Sequence, residues 1–500
     1  MDYLASIISG FQVVFQISNL LYCFVGVFIG TLVGVLPGIG PVGALAMLLP
    51  TTYGMSPVSA IIMFAGIYYG AAYGGSTTSI LVNIPGEASS VVTCIDGYQM
   101  AKKGRAGAAL GISAFGSFIG GTFSVVALMF LVFPLAKAAV MFGPPEYFSL
   151  ICMAMTLLIY LAHGSLIKAV IMVIVGLMLS TVGVDFITGE QRFTYRSDTL
   201  QDGLGLVPVA MGVFGIAEVL TNIESLVQRT VLKTRIRNLL PNREEWKRSI
   251  GPIIRGSILG FPLGILPGGG AIIASFLSYG VEKRISKHQE DFGKGAIEGV
   301  AGPETANNAG AGGAFVPLLA LGIPSNLVTA IFLGALMIHG VTPGPKMMAQ
   351  HPEIFWGVIA SMYLGNIMLL VLNLPLIGLW VNVLKIPYRT LMPLILLFCL
   401  IGAYSLNNNI VEVIIMVVFG IVGYILRKLE YEEAPMVLAF VLGPLLERSF
   451  RQSLIMSSGS FLIFVEKPLS AIALFISVVL FISSGFSYYR KAKAKIPLEA

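Results

Sequence analysis

Charged residues are scarce in this 500-residue chain: Asp, Glu, Lys and Arg together make up only 11% of it, whereas soluble domains average about 25%. Hydrophobic residues make up 56%, and the mean hydropathy is +0.87. A water-soluble fold cannot cover so much apolar surface with so few charges, so lipid must cover it. The composition therefore predicts a polytopic membrane protein and excludes a disordered chain, a coiled coil, a secreted disulfide scaffold and a nucleic-acid binder.

Residues that commonly carry catalysis or bind metals are also few and scattered. The four cysteines are far apart and form no CxxC pair, so neither a metal site nor a disulfide framework is indicated. The four histidines are isolated from one another in the sequence. The motifs HExxH, GxSxG and GxxxxGK(S/T) are absent, which argues against a metalloprotease, a hydrolase and a P-loop ATPase. We therefore predict no enzyme, and the energy for any transport would come from an ion gradient or from another chain.

Long apolar runs are abundant. A helix that spans a bilayer needs roughly 20 predominantly apolar residues. Runs that approach or exceed this length are 107–133, 147–162, 166–183, 204–223, 354–384, 390–404, 410–426 and 468–488. Together with less regular apolar stretches, the chain length fits about 10–12 membrane crossings. The predicted fold class is an all-α polytopic membrane protein.

The basic residues predict a hairpin in the middle of the chain. The interval 224–255 holds eight Lys or Arg, and four more lie within 283–294, so the positive-inside rule places both intervals in the cytoplasm. The apolar run 256–280 between them therefore cannot cross the membrane once. Its midpoint, Leu266-Pro-Gly-Gly-Gly270, is a sequence that breaks a helix. A re-entrant hairpin that enters and leaves on the same side is predicted.

An internal repeat emerges when the sequence is shifted by 230 positions. Residues 26–40 then match 256–270 at positions that are Gly26, Gly30, Gly34, Leu36, Pro37, Gly38 and Gly40 in the first copy. A second similarity follows, because Gly74-Gly75 and Ile84-Pro85 recur as Gly312-Gly313 and Ile323-Pro324. The basic flanks come in the opposite order in the two copies. We therefore predict two halves inverted across the membrane plane, an arrangement found in secondary transporters and some channels.

These patterns divide the chain into segments. They are a first inverted-repeat half at 1–223, a basic cytoplasmic linker at 224–255, a second half at 256–389, and C-terminal helices with a basic tail at 390–500. The tail carries several Lys and Arg after residue 489, so the C-terminus is also predicted to be cytoplasmic. Re-entrant hairpins and discontinuous helices are expected in both halves.

Irregular chain at membrane depth is tolerated only around a cavity or inside protein, and the sequence places it at 36–41, 74–86, 266–270 and 307–326. A helix that begins after such a break offers free N–H groups to an anion, and a helix that ends before it offers carbonyls to a cation. The candidate substrate-binding residues are Pro37, Gly38, Gly40, Ser76, Thr77, Asn83, Pro267, Gly268, Gly270, Asn307, Asn308, Pro324, Ser325 and Asn326. Because the surrounding apolar runs lack Lys and Arg, amides, hydroxyls, helix ends and a co-bound cation would hold a substrate anion.

Three carboxylates adjoin these breaks. Glu87, Glu298 and Glu304 are candidates for ion coupling, since carboxylates at membrane depth are usually functional. Each could equally lie at the membrane interface. A Na⁺ ion at the helix breaks is compatible with the Asn, Ser, Thr and carbonyl groups, although its ligands are not specified by the sequence, and a proton on one of the carboxylates is the alternative.

Several longer motifs, taken in order and spacing, are similar to the large membrane subunit of the tripartite tricarboxylate transporters, the TctA-like family. The similarity extends over nearly the whole chain. The motifs include 34–41 (GVLPGIGP), 143–148 (GPPEYF), the stretch 206–218, 264–268 (GILPG), 302–308 (GPETANN), 321–325 (LGIPS) and 440–447 (FVLGPLLE).

This resemblance implies a symporter that imports carboxylates such as citrate across the bacterial inner membrane, driven by a Na⁺ or H⁺ gradient. It implies two partners, a small four-helix membrane subunit and a periplasmic substrate-binding protein, and it permits a dimer of the complex. No cofactor other than the coupling ion is implied. An elevator-type movement of the hairpins past a static scaffold would fit the repeat, with 390–488 contributing to the scaffold or to the small-subunit contact. The alternatives are a passive anion channel, a carrier of other organic anions, and a membrane-embedded enzyme.

Overall fold

The computed structural model describes residues 3–36, 40–139, 141–161, 165–224, 239–268, 270–384, 386 and 388–494. This part of the chain is almost entirely helical, which confirms the predicted all-α polytopic membrane fold. Its helices that are long and apolar enough to cross a membrane are Ile17–Val35, Pro57–Val82, Ala106–Ala138, Leu206–Glu224, Pro352–Asn373 and Ile410–Lys428. Shorter apolar helices accompany them, and the count of about 10–12 crossings stays a prediction.

The helices before residue 225 include both long spans and short pieces. They are α1 (Tyr3–Val14), α2 (Ile17–Val35), α3 (Gly40–Leu48), α4 (Pro57–Val82), α5 (Val91–Lys102), α6 (Ala106–Ala139), α7 (Pro144–Leu161), α8 (Leu166–Ser180), α9 (Asp198–Gln201), α10 (Leu206–Ala210) and α11 (Ala217–Glu224). Two 3₁₀ turns, Leu49–Thr52 and Ala88–Ser90, precede α4 and α5, and a π-helical turn, Met211–Ile216, joins α10 to α11. Strands β1 (Gly183–Val184) and β2 (Gln191–Arg192) form a small antiparallel ribbon.

The helices after residue 238 continue the same pattern. They are α12 (Arg243–Ile265), α13 (Gly270–Ile285), α14 (Glu298–Gly313), α15 (Phe315–Leu321), α16 (Leu327–Ile338), α17 (Met347–Gln350), α18 (Pro352–Asn373), α19 (Ile377–Val383), α20 (Tyr388–Asn407), α21 (Ile410–Lys428), α22 (Glu433–Met456), α23 (Ile463–Glu466) and α24 (Pro468–Ala494). A 3₁₀ turn, Gln289–Asp291, lies between α13 and α14.

Helices α12 and α13 form the hairpin predicted for 256–280. Arg255 on α12 binds Glu282 on α13 at 2.5 Å, about ten residues from the tip on each side. Further from the tip, Arg248 binds both Asp291 (3.1 Å) and Glu298 (2.7 Å). The two open ends of the hairpin therefore lie together, as the prediction of a return to the same side requires.

The glycines of the internal repeat bring the two hairpins against two long helices. Helices α2 and α3 form the first hairpin and α12 and α13 the second; α2 packs along α4, and α12 packs along α14. Each hairpin and the broken helix that follows it form a hairpin unit, α2–α5 in the first and α12–α16 in the second. Glycines spaced one turn apart allow this contact, because a Cβ on each would come within 2.0–2.6 Å of a carbonyl oxygen on the facing helix. The pairs are Gly26 with Met63, Gly30 with Ile67, Gly34 with Ala71, Gly256 with Gly302, Gly260 with Ala306, and Gly264 with Gly310.

The chain breaks that follow these long helices also match. Asn83 caps the C-terminus of α4 and Gly322 caps that of α15, and both residues have left-handed backbone, with φ of 60° and 72°. Four residues after each cap a new turn begins with a capping box, made by Glu87 with Ser90 and by Asn326 with Thr329. The two units therefore share their breaks as well as their packing.

A separate layer of helices covers one side of the hairpin units. Helix α22 packs on α7 and α8, and α24 packs on α7. Helix α22 was not anticipated from the sequence, because Glu447, Arg448 and Arg451 interrupt its apolar character. These charges lie beside the β ribbon, where Glu447 binds Arg192 at 2.8 Å.

Two sequence boundaries differ from the structure. The apolar run 354–384 is divided, since α18 ends at Asn373 and α19 begins at Ile377, and Pro375 between them has no N–H to continue the helix. Helix α12 begins at Arg243, inside the segment assigned to the linker, because Asn242 caps it by accepting from the N–H of Glu245 at 2.9 Å. Linker residues 225–238 lie outside the described residues.

Candidate functional site

The hairpin tips and the chain breaks meet at one cavity of about 270 Å³. Pro41 comes from the first hairpin and Gly268 from the second, while Glu87 and Asn326 come from the two breaks. Asn307 of α14 also lines the cavity. Four of the residues proposed from sequence are thus brought together around a space large enough for a small organic molecule.

The opposite wall of the cavity comes from the outer layer. Leu158 of α7 and Pro435 and Leu438 of α22 form an apolar surface that faces the tips. Glu432, immediately before α22, completes this wall. The cavity therefore lies at the boundary between the hairpin units and the outer helices.

Neutral hydrogen-bond donors dominate the polar lining of the cavity. The amide Nδ2 of Asn307 is buried and has no hydrogen-bond partner within the described part of the chain. The amide of Asn326 donates to the Tyr68 hydroxyl at 3.1 Å, and Tyr68 also lines the cavity. Among the described lining residues there is no Lys, Arg or His. That amides and hydroxyls hold an anion here stays a prediction.

Helix starts supply further positive potential. Helices α3, α13 and α16 begin at Gly40, Gly270 and Leu327, each next to residues that line the cavity. The first turn of a helix leaves N–H groups without intrahelical partners and carries the positive end of the helix dipole. The second tip is held in place because the N–H of Gly268 donates to the Ser325 carbonyl at 2.9 Å. This arrangement favours negative charge in the cavity.

Glu304 lies deeper in the hairpin units and is fully buried on α14. Ser76 of α4 donates to its Oε2 at 2.5 Å, Thr93 of α5 donates to its Oε1, and Ser117 of α6 donates to Oε2 at 3.4 Å. The amide of Asn308 donates in turn to Ser117 at 2.8 Å. Hydroxyl oxygens from three helices therefore surround this carboxyl group, an oxygen-rich set suited to a proton or to a hard cation such as Na⁺.

Glu87 connects this polar cluster to the cavity. Its carboxyl group accepts a hydrogen bond from the Ser89 hydroxyl, and its N–H donates to the Ser90 hydroxyl oxygen at 3.3 Å. A Cβ on Gly75 would lie 2.9 Å from Cγ of Glu87, while the next residue, Ser76, donates to Glu304. The consecutive residues Gly75 and Ser76 of α4 thus lie against the side chains of Glu87 and Glu304, respectively.

The third carboxylate proposed for ion coupling lies elsewhere. Both oxygens of Glu298 accept from Arg248, at 2.7 and 2.8 Å, near the open end of the second hairpin. A guanidinium in this fork geometry holds a carboxylate as an ion pair. The structure does not bring Glu298 to the cavity, and its coupling role stays a prediction.

The remaining described sequence candidates do not line the cavity. Thr77 is buried on α4, and Asn83 is exposed at the C-cap of that helix. Pro267 and Pro324 lie at the second tip and the second break. Pro37 and Gly38 lie outside the described residues.

Three residues of the site were not anticipated from the sequence. Tyr68 lines the cavity, and Thr93 and Ser117 hold Glu304. Ser113 and Ser117 are one helical turn apart within an otherwise apolar run, which was the available signal for a polar face on α6. Among the described residues no group of three or more His, Cys, Asp or Glu could hold a metal ion.

A second cavity, of about 580 Å³, lies beside the β ribbon. Three of its ionic groups are paired, since Arg192 and Arg451 both bind Glu447, at 2.8 and 3.1 Å, and Arg451 also binds Asp185 at 2.5 Å. Asp185 also accepts from the N–H groups of Thr188 (2.8 Å) and Ile187 (2.7 Å). The N–H of Thr188 and the guanidinium of Arg451 hold the pKa of Asp185 well below its usual range. These pairs fix the ribbon on α22.

Comparison with known proteins assigns the family. The model of the tripartite tricarboxylate transporter TctA family matches residues 20–438. An Agrobacterium vitis protein described as an uncharacterized 52.8 kDa protein in the TAR-I ttuC' 3' region is 51% identical over 499 residues, which is 100% of this chain and 99% of that protein. A second protein of that organism, from the TAR-II ttuC' 3' region, is 51% identical over 237 residues, 47% of this chain and 98% of its own. No solved structure matches. The chain belongs to the tripartite tricarboxylate transporter TctA family.

Proposed function

We propose that the chain is the permease subunit of a secondary active transporter that imports tricarboxylate or dicarboxylate anions across the bacterial inner membrane. A Na⁺ or H⁺ gradient drives the import, and a periplasmic binding protein delivers the substrate. The observation that carries this proposal is the cavity between the hairpin tips. It presents the unpaired Asn307 amide and several helix starts to a small anion, with a lining free of fixed positive charge in the described residues.

Contacts between the two units support an inverted repeat. Thr52, after the first hairpin, lies 3.2 Å from His339, at the end of the second broken helix. In the reciprocal contact, Asp96 near the end of α5 accepts from Gly295 (2.7 Å) and Ala296 (2.9 Å), after the second hairpin. Each hairpin therefore opens where the other unit's broken helix ends, as in inverted-topology carriers.

The position of the cavity supports an elevator-type movement. One wall belongs to the tips and breaks of the two hairpin units, and the other belongs to α7 and α22. If the hairpin units move past α7 and α22, the cavity opens alternately to the two sides of the membrane. By the positive-inside rule, the basic residues at the open end of the second hairpin predict that this end faces the cytoplasm.

Transport by the reconstituted complex tests the proposal. Vesicles would contain this chain with its small membrane subunit and would receive the binding protein and labelled citrate or other di- and tricarboxylates. A Na⁺ gradient and a pH gradient would be imposed separately. We expect accumulation above the external concentration with one gradient and its collapse on adding the matching ionophore. Equilibration without accumulation would indicate a passive channel, and no uptake of any carboxylate by a folded complex would refute the substrate class.

A further inference from the structure

Glu87 places a carboxyl group in the cavity proposed to hold an anion. Its side chain lines the cavity together with the Asn307 amide, and Glu432 contributes a second carboxyl group on the opposite wall. Two like charges that share a cavity repel each other more than they would in bulk water, because the protein around them has a lower dielectric constant than water. An anionic substrate and an ionised Glu87 therefore oppose each other's binding.

The groups that face Glu87 offer it no positive partner. They are Ser89 and Ser90 on its own segment, Tyr68 on α4, Glu304 and Asn307 on α14, Asn326 before α16, and Glu432 before α22. None of these described neighbours is Lys, Arg or His. Neutralisation of Glu87 must therefore come from a proton or from another small cation that enters with the substrate.

The matching position in the second unit indicates which of these is favoured. Asn326 occupies the same N-cap as Glu87, and it caps its helix with a neutral side chain. A protonated Glu87 keeps a carbonyl oxygen for its cap and gains an O–H donor, as an amide has an N–H donor. Protonation thus converts Glu87 into a hydrogen-bond donor toward the cavity without requiring new ligands, whereas a metal ion would need several further oxygens.

We propose that Glu87 takes up one proton when the substrate anion enters, so that the anion and the proton occupy the cavity together. The proton is transferred from water on the side to which the cavity is open, an O–H bond forms on the carboxylate, and the reverse transfer to water follows substrate release. This inference rests on the proposed function, because it assumes that the cavity binds an anion.

Proton uptake on binding provides the test. Binding of citrate to the purified complex would be measured calorimetrically at about pH 8, where citrate itself is fully ionised. Two buffers with different ionisation enthalpies would be compared, because the difference in observed heat gives the number of protons taken up. We expect one proton for the wild-type complex and none for Glu87→Gln, with binding retained or tighter in that variant. Glu87→Asp keeps a carboxyl group, and we expect it to restore the uptake.

Glu412→Gln is the matched control, because this buried carboxyl group on α21 does not line the cavity. We expect it to keep the uptake of one proton whenever it binds citrate. Binding without proton uptake in the wild type, or uptake that survives in Glu87→Gln, would overturn the inference. Binding that requires Na⁺ in the wild type but not in Glu87→Gln, without proton uptake, would assign a metal ion instead. Failure of every folded complex, wild type included, to bind any carboxylate would refute the proposed function itself.

Discussion

The Ser76 hydroxyl donates a 2.5 Å hydrogen bond to Glu304 Oε2 and so joins the long helices of the two hairpin units. Thr93 and Ser117 donate to the same carboxyl group. The bond crosses from α4 to α14 and is completely buried. Buried polar groups that lose their partner carry the full cost of their lost hydration, so this carboxyl group is central to how the units hold together.

Removing the Glu304 carboxyl group should destabilise the protein. Glu304→Ala leaves three buried hydroxyls without their acceptor and creates a cavity, so we expect a loss of about 3 kcal/mol in unfolding free energy. Glu304→Gln keeps the shape and one acceptor oxygen and should lose less than half as much. Thermal unfolding of the purified complex in detergent measures both variants, and equal stability of the two would contradict the role of the hydroxyl cluster.

The glycine contacts between α12 and α14 should tolerate no side chain. A Cβ at Gly264 would lie 2.0 Å from the Gly310 carbonyl oxygen, so Gly264→Ala must push the backbones apart and should destabilise by about 2 kcal/mol. Gly280 on α13 has open space around its Cβ position. The control Gly280→Ala should leave the unfolding temperature unchanged or raise it, since Ala favours helix. A similar effect of both substitutions would argue against close packing.

The Asn307 amide should contribute to substrate affinity. Asn307→Leu removes the unpaired donor of the cavity, and we expect Kd for the transported carboxylate to rise by about tenfold or more. Asn373→Leu on α18 is the matched control, because that amide is also buried with one unpaired atom but does not line the cavity. Direct measurement of Kd for the carboxylate tests this prediction. An equal rise in Kd for both substitutions would indicate that the anion binds elsewhere.

The acid stability of the β ribbon should depend on Asp185. Because its pKa is depressed in the folded protein, the ionised carboxylate stabilises the fold at any pH above its unfolded value of about 4. That contribution is lost as the pH falls from about 4 through the lower folded value. Asp185→Asn should therefore lower the unfolding temperature at pH 7 and reduce its further decline on acidification. A parallel downward shift at every pH would contradict this linkage.

The second hairpin should open on one side of the membrane. Single cysteines in place of Glu245 and Lys287 would lie before and after this hairpin in the sequence. Arg248 binds Asp291 and Glu298 at its open end. We expect both cysteines to react with a membrane-impermeant reagent only after the vesicles are opened, or both before. Reaction of one before opening and the other only afterwards would require α12 and α13 to form a single crossing.

The internal repeat shows which features of the fold can be predicted from the sequence. A fixed shift of 230 positions identifies the paired glycines of the hairpins, because their spacing is short and rigid. The breaks match at a shift of 239, from Asn83 to Gly322 and from Glu87 to Asn326, since the connection before α14 is longer than the one before α4. A shift of 230 therefore aligns the hairpin glycines, whereas aligning the breaks residue by residue requires a shift of 239.

The sequence does not predict which side chains contact each other across helices. The conjunction of Glu304 with Ser76, Thr93 and Ser117 depends on how four helices pack, and these residues are far apart in the chain. The charged helix α22 was missed for a related reason, because ion pairs with Asp185 and Arg192 compensate charges that would otherwise exclude it from an apolar environment. The helices themselves and their glycine-rich breaks follow from composition and local sequence.

The glycines at the contact between α2 and α4 also limit how the first hairpin can deform. Because Gly26, Gly30 and Gly34 each lie against a carbonyl oxygen, sliding α2 along α4 by one residue would drive a Cβ into the opposing backbone. The hairpin helix α2 and the long helix α4 can therefore move together, but they cannot slide along each other. The spacing between each tip and its neighbouring break is then the same at every stage of a displacement. If the units carry a ligand across the bilayer as proposed, the tips and breaks present the same local geometry to it on both faces, and any difference in affinity must come from the wall formed by α7 and α22.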